Sequence, residues 1–260
     1  MASQFFRNTN LPIAAILFWL IPLSLAQTGK EGGRPPDGGT REVLVSIFIP
    51  TVSGAPFTAT VNTETVRPLL DGTRITLTNH RLIARDRSGR IFQERRLLVP
   101  EDKKDESIIT QIEISDPVAR KQYICVPSER VCQLEFLENH EPVQSISAVT
   151  PPPLNPGQEF AGTQSISGLK TEGTRETRVI PTGAIGNDSP ILSKREFWYS
   201  QQLGLNVLST RDDPRFGTQK FELSDIVLSD PDTKLFSPPE GFKLLDLRNP
   251  TEVPSTPASN

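Results

Sequence analysis

From Val43 to Phe136 apolar and polar positions alternate with period two. Val43, Val45, Ile47 and Ile49 open the pattern, FTATVNTETV continues it, and RITLTN, RLIARDRSGRIFQERRLLV, SIITQIEIS and KQYICVPSERVCQLEF follow. Alternation rich in β-branched residues sends successive side chains to opposite faces, so it predicts strands. Turn signals separate them at Leu70-Asp71-Gly72, Asp86-Arg87-Ser88-Gly89, Asp116-Pro117 and Pro127-Ser128-Glu129-Arg130. The style returns in GTQSIS, LKTEGTRETRVI, KREFWYS and LNVLSTRDDPRFGTQKFELSDIVL. No stretch carries apolar residues at helical spacing over three turns, and the best helix candidate, Glu64 to Leu70, is broken by Pro68. A mainly β fold follows: a large curved antiparallel sheet, a half-barrel-like meander with little helix.

The ends read differently. Met1 to Asn10 is polar with one charge, Arg7, and an apolar run from Leu11 to Leu25 precedes the small residues Ser24 and Ala26. That order is a secretory signal peptide over residues 1–26, and the run, interrupted by Pro12 and Pro22, is short for a membrane span of about 20 residues. Gln27 stands where a lipidated Cys would be needed, so no lipid anchor is expected. The mature chain is expected in the periplasm or outside the cell; if the segment is retained, it tethers the chain as an uncleaved N-terminal helix. Residues 27–40 (QTGKEGGRPPDGGT) form a flexible leader, 41–247 one β-rich domain with a Pro-rich connector at 148–158 (AVTPPPLNPGQ), and 248–260 a disordered tail. The connector is short enough to pass over an edge while the second half extends the first half's sheet. Ile75, Leu77, Ile112 and Ile114 are then expected to share one interior with Val179, Leu223 and Val227.

Export changes how the two cysteines are read. In YICVPSERVCQL a four-residue loop pairs Val126 with Val131 and Cys125 with Cys132, and facing cysteines in an oxidising compartment form a disulfide. The spacing is not that of a redox dithiol, and a zinc site needs more ligands than His140 supplies.

Composition narrows the chemistry. The chain has 260 residues, 23% of them charged, with 24 Pro and a formal net charge of -3. Nothing in that balance draws it to nucleic acid. Arg74, Arg81, Arg85, Arg87, Arg90, Arg95 and Arg96 face only Asp86 and Glu94 in their stretch, a local basic patch suited to anionic partners unless the sheet pairs it internally. Glu101-Asp102, Asp105-Glu106, Asp212-Asp213, Asp225, Asp230 and Asp232 read as acids in solvated turns, because they lack a calcium-loop pattern and show no sign of a sugar cleft. No Gly-x-Ser-x-Gly elbow accompanies His80 or His140, and the paired glycines open no helix, so neither hydrolysis nor nucleotide binding is expected, nor any cofactor or metal. Phe197, Trp198, Tyr199, Phe216, Phe221, Phe236 and Phe242 crowd the second half. Period two places Phe197 and Tyr199 on one face and Trp198 on the other, where aromatics fill a core or line a ligand cavity.

The strings IARDRSGRIFQERR, ISDPVARKQYICVPSERVC, GLKTEGTRETRVIPTGAIGNDSPI, FWYSQQLGLNVLSTRDDPRFGTQKFEL and LFSPPEGF, spread over residues 40 to 245, resemble a family of uncharacterised exported bacterial β-rich proteins. The resemblance implies export and a β fold and brings no reaction, cofactor or catalytic residue. More loosely, a long meander ending in LFxxPxGF is similar to the half-barrels that carry lipoproteins or lipids across the periplasm, a fold-level likeness. Two function classes follow. One is a non-enzymatic envelope protein holding an apolar or amphiphilic ligand, or a lipid-bearing partner, in a curved sheet. The other is a structural or interaction protein with a filled core and an Arg-rich docking face for another envelope protein. Cleavage after Ala26 is predicted, so N-terminal sequencing of the exported chain should begin at Gln27, and recovery of Met1 in a membrane fraction would show the anchor instead.

Overall fold

Alternation becomes strand in a computed structural model that describes residues 46–138 and 142–248. The signal peptide, the leader, His140 and residues 249–260 of the tail lie outside the described residues. The strands are β1 (Val52–Ser53), β2 (Phe57–Pro68), β3 (Arg74–Arg85), β4 (Ile91–Arg96), β5 (Val99–Pro100), β6 (Ile109–Asp116), β7 (Lys121–Val126) and β8 (Val131–Phe136). The chain continues with β9 (Gln144–Ser145), β10 (Gln158–Ile166), β11 (Leu169–Ile180), β12 (Ile191–Ser200), β13 (Leu205–Asp213), β14 (Gly217–Val227) and β15 (Lys243–Asp246).

Thirteen of these form one open sheet in the order β10-β11-β12-β13-β14-β2-β3-β4-β6-β7-β8-β15, with β5 beside β3. Each half is an antiparallel meander, and β14 joins them by pairing with β2 from Thr218↔Val66 to Val227↔Thr58. The sheet is mixed, because β15 runs parallel to β8. After β14 the chain crosses one face of the sheet before reaching that edge, and a crossover of this kind, unlike a hairpin, can deliver a parallel strand. The helix candidate at Glu64 is strand: Glu64 lies between Thr78 and Lys220, and pairing with β3 runs through Pro68↔Arg74. Ladders on both sides override local preference, and Pro68 is tolerated at the strand end.

Curvature shows in one contact. Ser167, at the tip of the β10–β11 hairpin, donates to the Leu223 carbonyl on β14 at 2.8 Å although β12 and β13 lie between the two strands in the sheet. Only a curled sheet brings them together, and the bulge between Trp198 and Tyr199 is one place where it bends. Inside the curl, Phe57, Val61, Ile83, Leu169, Leu203, Val207 and Leu223 pack with Ile47 and Ile49 of the segment before β1. The interior is filled with side chains.

A second cluster occupies the opposite face. Ile83 and Ile91 belong to the first core, while their neighbours Ala84 and Phe92 join Ile112, Ile114, Cys125, Cys132 and Phe236. Cys125 opposes Cys132 and Val126 opposes Val131 in the hairpin, and the two cysteines are disulfide-bonded. So short a loop contributes about 2 kcal/mol at most. Asp232 caps the 3-10 turn Thr233–Phe236 by accepting from the Lys234 amide, seating Phe236 on this cluster with Arg90 4.9 Å above its ring. The LFSPPEGF string is thus a strap over the sheet.

The expected single interior is corrected on these points. Ile112 and Ile114 lie in the second cluster and Leu223 in the first, Leu77 is half-buried, and Ile75, Val179 and Val227 are exposed. Ile75 and Val179 sit at strand ends near hairpin tips. Val227 follows a register shift after Ser224, where Asp225 takes a φ of +51°, and a shift of this kind changes which face a residue meets.

Asp212-Asp213, read as solvated, is also corrected. Asp213 is fully buried, accepts from Arg215 Nε at 2.9 Å and Nη2 at 2.7 Å, and takes a further bond from Arg211 at 3.2 Å. Both guanidiniums lie close to the Phe216 ring, at 5.1 and 4.9 Å. The hydrogen bonds from Arg215, with a smaller contribution from Arg211, hold the Asp213 carboxyl well below the usual carboxylate range although burial opposes them.

Two outcomes follow. Because the β14–β2 ladder joins the halves, residues 44–147 and 158–248 expressed separately should expose sheet and aggregate; independent cooperative unfolding of each half, seen by calorimetry, would refute a shared structure. Asp213→Asn should destabilise the chain by about 3 kcal/mol at neutral pH, since it leaves buried arginine charge uncompensated. A depressed carboxyl adds stability that is complete above its unfolded value of about 4 and is lost as pH falls toward the folded value. Urea melts at pH 7 and pH 3 should therefore show a smaller acid loss in the variant than in the wild type.

Candidate binding crevice under the proline-rich connector

The β12–β13 turn builds the floor of this region. Gly204 takes a φ of +68° and donates its amide to the Ser200 carbonyl at 2.8 Å, closing the turn. A Cβ there would meet Ile146 Cδ1 at 2.8 Å, so the bare glycine lets Ile146 settle on the turn. Ile146 belongs to the 3-10 turn Ile146–Ala148, which is anchored by the parallel pairing of β9 with β1 (Val52↔Gln144, Ser53↔Ser145) and by Gln201 donating to the Val149 carbonyl. The connector thereby passes over the sheet. Pro151, Pro152 and Pro153 follow, with no backbone N–H to satisfy.

Two adjoining clefts lie beneath. One, of about 330 Å³, is lined mainly by Phe48, Pro50, Val52, Val149, Tyr199 and Leu205, and among the described residues no charged side chain borders it. The other, of about 320 Å³, lies among Pro153, Leu154, Phe160, Phe197 and Tyr199, with Glu172 at its wall. Pro152, Tyr199 and Asn206 border both, so the clefts form one crevice. Register explains the second wall, since Phe160 pairs with Thr174 and Thr174 with Phe197. Phe197 and Tyr199 share the crevice while Trp198 packs against the first core and against Gly173, where a Cβ would come within 2.6 Å of its ring. The other aromatics serve the fold: Phe221 lies in the first core, Phe236 and Phe242 at the second, and Phe216 beneath its arginines.

Arg85 lies beside this floor and is fully buried. Its guanidinium donates to the carbonyls of Pro50 (3.0 Å), Ala55 (3.1 and 2.9 Å) and Leu203 (2.6 Å) and stacks 5.2 Å from the Phe57 ring. None of the described carboxylates pairs with it. Burial pulls it down to about 10, opposed by the nearby Tyr199 phenol. Burial raises Tyr199 above its ordinary value, and the Arg85 charge acts the other way.

The remaining arginines of the sequence patch are dispersed. Arg81 is buried, donates to Ser46 Oγ and the Glu94 carbonyl, and is lowered to about 10, chiefly by burial. Arg95 makes a two-point bond to Glu113, Arg96 pairs with Glu94 at 2.8 Å, Arg90 with Asp86 at 2.7 Å and Arg87 with Asp230 at 2.9 Å; Arg74 is exposed. The loop from Asp86 to Arg90 decides this division. Arg85 pairs with Ile91, and Asp86 accepts from the Ser88 and Arg90 amides. His80 stands apart, in a polar groove of about 750 Å³ on β14, β2 and β3 with Glu64, Glu101, Lys220, Glu222 and Asp225. Among the described residues no group of three or more His, Cys, Asp or Glu side chains is placed to hold a metal ion.

No family model matches the chain, and neither does any curated protein. Solved structures similar to it include an uncharacterized conserved protein from Thermus thermophilus, at 6% identity and TM-score 0.39 over 74% of this chain and 90% of that one. A LolA superfamily protein from Nitrosomonas europaea overlaps at 12% identity and TM-score 0.30 over 70% of this chain and 90% of that one. Lipoprotein LppX from Mycobacterium tuberculosis does so at 16% identity and TM-score 0.24, over 65% and 85%.

Proposed function

We propose that the chain is an exported, non-enzymatic envelope protein that binds an apolar or amphiphilic ligand in the crevice under its proline-rich connector. The carrying observation is the pair of adjoining clefts, each mainly apolar and each of the size that holds small ligands. The curled sheet itself is filled, so the ligand lies beside the core and not within it. Phe48, Leu154 and Phe160 are exposed around the crevice and give an apolar chain a surface on which to enter. Each methylene withdrawn from water there stabilises the complex by about 0.8 kcal/mol. Gln144, Thr150 and Asn155 supply polar groups at the rim. On this reading the arginine run serves the fold, with Arg85 and Arg81 inside and four others paired to carboxylates.

Native mass spectrometry of protein purified from its own envelope tests this. The expected result is a co-purifying lipid or other amphiphile that is lost in Asn206→Trp, a change that fills the wall common to both clefts without entering either core. A chain that arrives empty and bound to a second envelope protein would favour the interaction class instead.

A further inference from the structure

Three polar features meet at the β12–β13 turn. Arg85 carries a buried positive charge with no carboxylate partner among the described residues and reaches the Leu203 carbonyl of that turn. Tyr199 Oη and Ser200 Oγ are withdrawn from solvent without a hydrogen-bond partner among the described residues, and Ser200 is fully buried. A buried hydroxyl left without a partner forfeits its bonds to water, and a ligand that accepts from it recovers them. Tyr199 lines the first cleft, Ser200 follows it on β12, the Pro50 carbonyl that Arg85 holds belongs to a lining residue, and a Cβ on Gly204 would lie 3.8 Å from Tyr199 Oη.

We infer that the crevice selects an anionic amphiphile, its carboxylate or phosphate seated in the first cleft against Tyr199 Oη and over the Arg85 charge, its chain lying in the second cleft beside Phe160 and Phe197. The inference rests on the crevice reading and adds the head-group chemistry. An anion there accepts from the hydroxyl and offsets the guanidinium field, which acts strongly in a site of low dielectric. The orientation follows from the walls. Among the described residues no charged side chain borders the first cleft, whereas Glu172, opposite Tyr199 in the ladder and exposed, borders the second and repels an anion placed there.

Tyr199 Oη is covered, so the roof must lift for the head group to reach it. The roof is lightly held: a two-residue ladder between β1 and β9, Ser53 Oγ donating to the Gln144 carbonyl at 3.3 Å, the Gln201 bond and Ile146 resting on Gly204. None of the residues in its 3-10 turn is buried. Segments with few buried contacts open at low free energy, well below global unfolding.

The test uses dodecanoate, its methyl ester and dodecylammonium as probes of one chain length, measured by calorimetry on the full exported chain and on Tyr199→Phe. Arg85 is too deeply built into the core for its variants to be informative. Tyr199→Phe, by contrast, removes a hydroxyl that bonds to none of the described residues and should leave the unfolding temperature unchanged or slightly higher. Dodecanoate should bind the wild type at least about tenfold more tightly than the ester or the ammonium, and Tyr199→Phe should remove most of that preference while leaving ester binding in place. Equal binding of all three probes would overturn the anionic head-group site and leave the crevice reading standing. Binding of none would overturn both.

Discussion

The ladder between β14 and β2 is the constraint on which the molecule depends. It converts two meanders, separated in sequence by a connector unable to form strand or helix, into a single open sheet. A sheet that long twists and coils, and its curl carries the β10–β11 tip back to Leu223. The curl is then closed from the side by the segment carrying Ile47 and Ile49. Once those side chains fill the interior, an apolar concavity is left between the sheet and the segments of chain that cross it, under the connector.

Charge has been placed inside this architecture where shape leaves no alternative. The register Phe57↔Arg85 and Val61↔Arg81 points both arginines into the curl, in line with Ile83. The two are satisfied differently. Arg81 has Glu94 and Glu113 within electrostatic reach, whereas among the described residues Arg85 meets carbonyl dipoles and an aromatic face. Planar guanidinium with several fixed donors can join Pro50, Ala55 and Leu203 simultaneously, so one side chain fastens the entering chain, β3 and the β12–β13 turn. Lysine could not span that geometry.

Much of the fold was legible because strand alternation and hairpin chemistry are local. The Cys125–Cys132 pairing needed only the loop length of Pro127 to Arg130, and the division of Phe197 and Tyr199 from Trp198 needed only the pleat. What stayed hidden depends on partners remote in sequence or on a change of parity. Period two does not reveal that Ala84 and Phe92 find a second core, because their cover is Phe236, far along the chain. Nor does it reveal the shift after Ser224 that exposes Val227. The arginines looked like a patch because seven of them crowd a short stretch, and the loop from Asp86 to Arg90 then sent them to different faces. One signal does stand in the sequence: in Arg211-Asp212-Asp213-Pro214-Arg215 the flanking arginines stand two residues either side of Asp213, a spacing that in a strand and its turn lets both reach one carboxylate.

The crevice residues raise the same question from the side of energetics. Among the described residues two hydroxyls here lack partners, and substitutions as slight as Tyr199→Phe and Ser200→Ala would remove them. Elsewhere buried charged groups meet partners: Arg81 with Ser46, Asp213 with Arg211 and Arg215, Glu94 with Arg96 and the Leu82 amide. A roof pinned by a two-residue ladder stands directly over these unpartnered groups, which places unsatisfied polar atoms under a lightly secured segment. An unsatisfied floor beneath a roof of that kind is what a site that opens to take up a polar head group requires, because the free energy recovered on satisfying those atoms is available to offset the lifting of the roof.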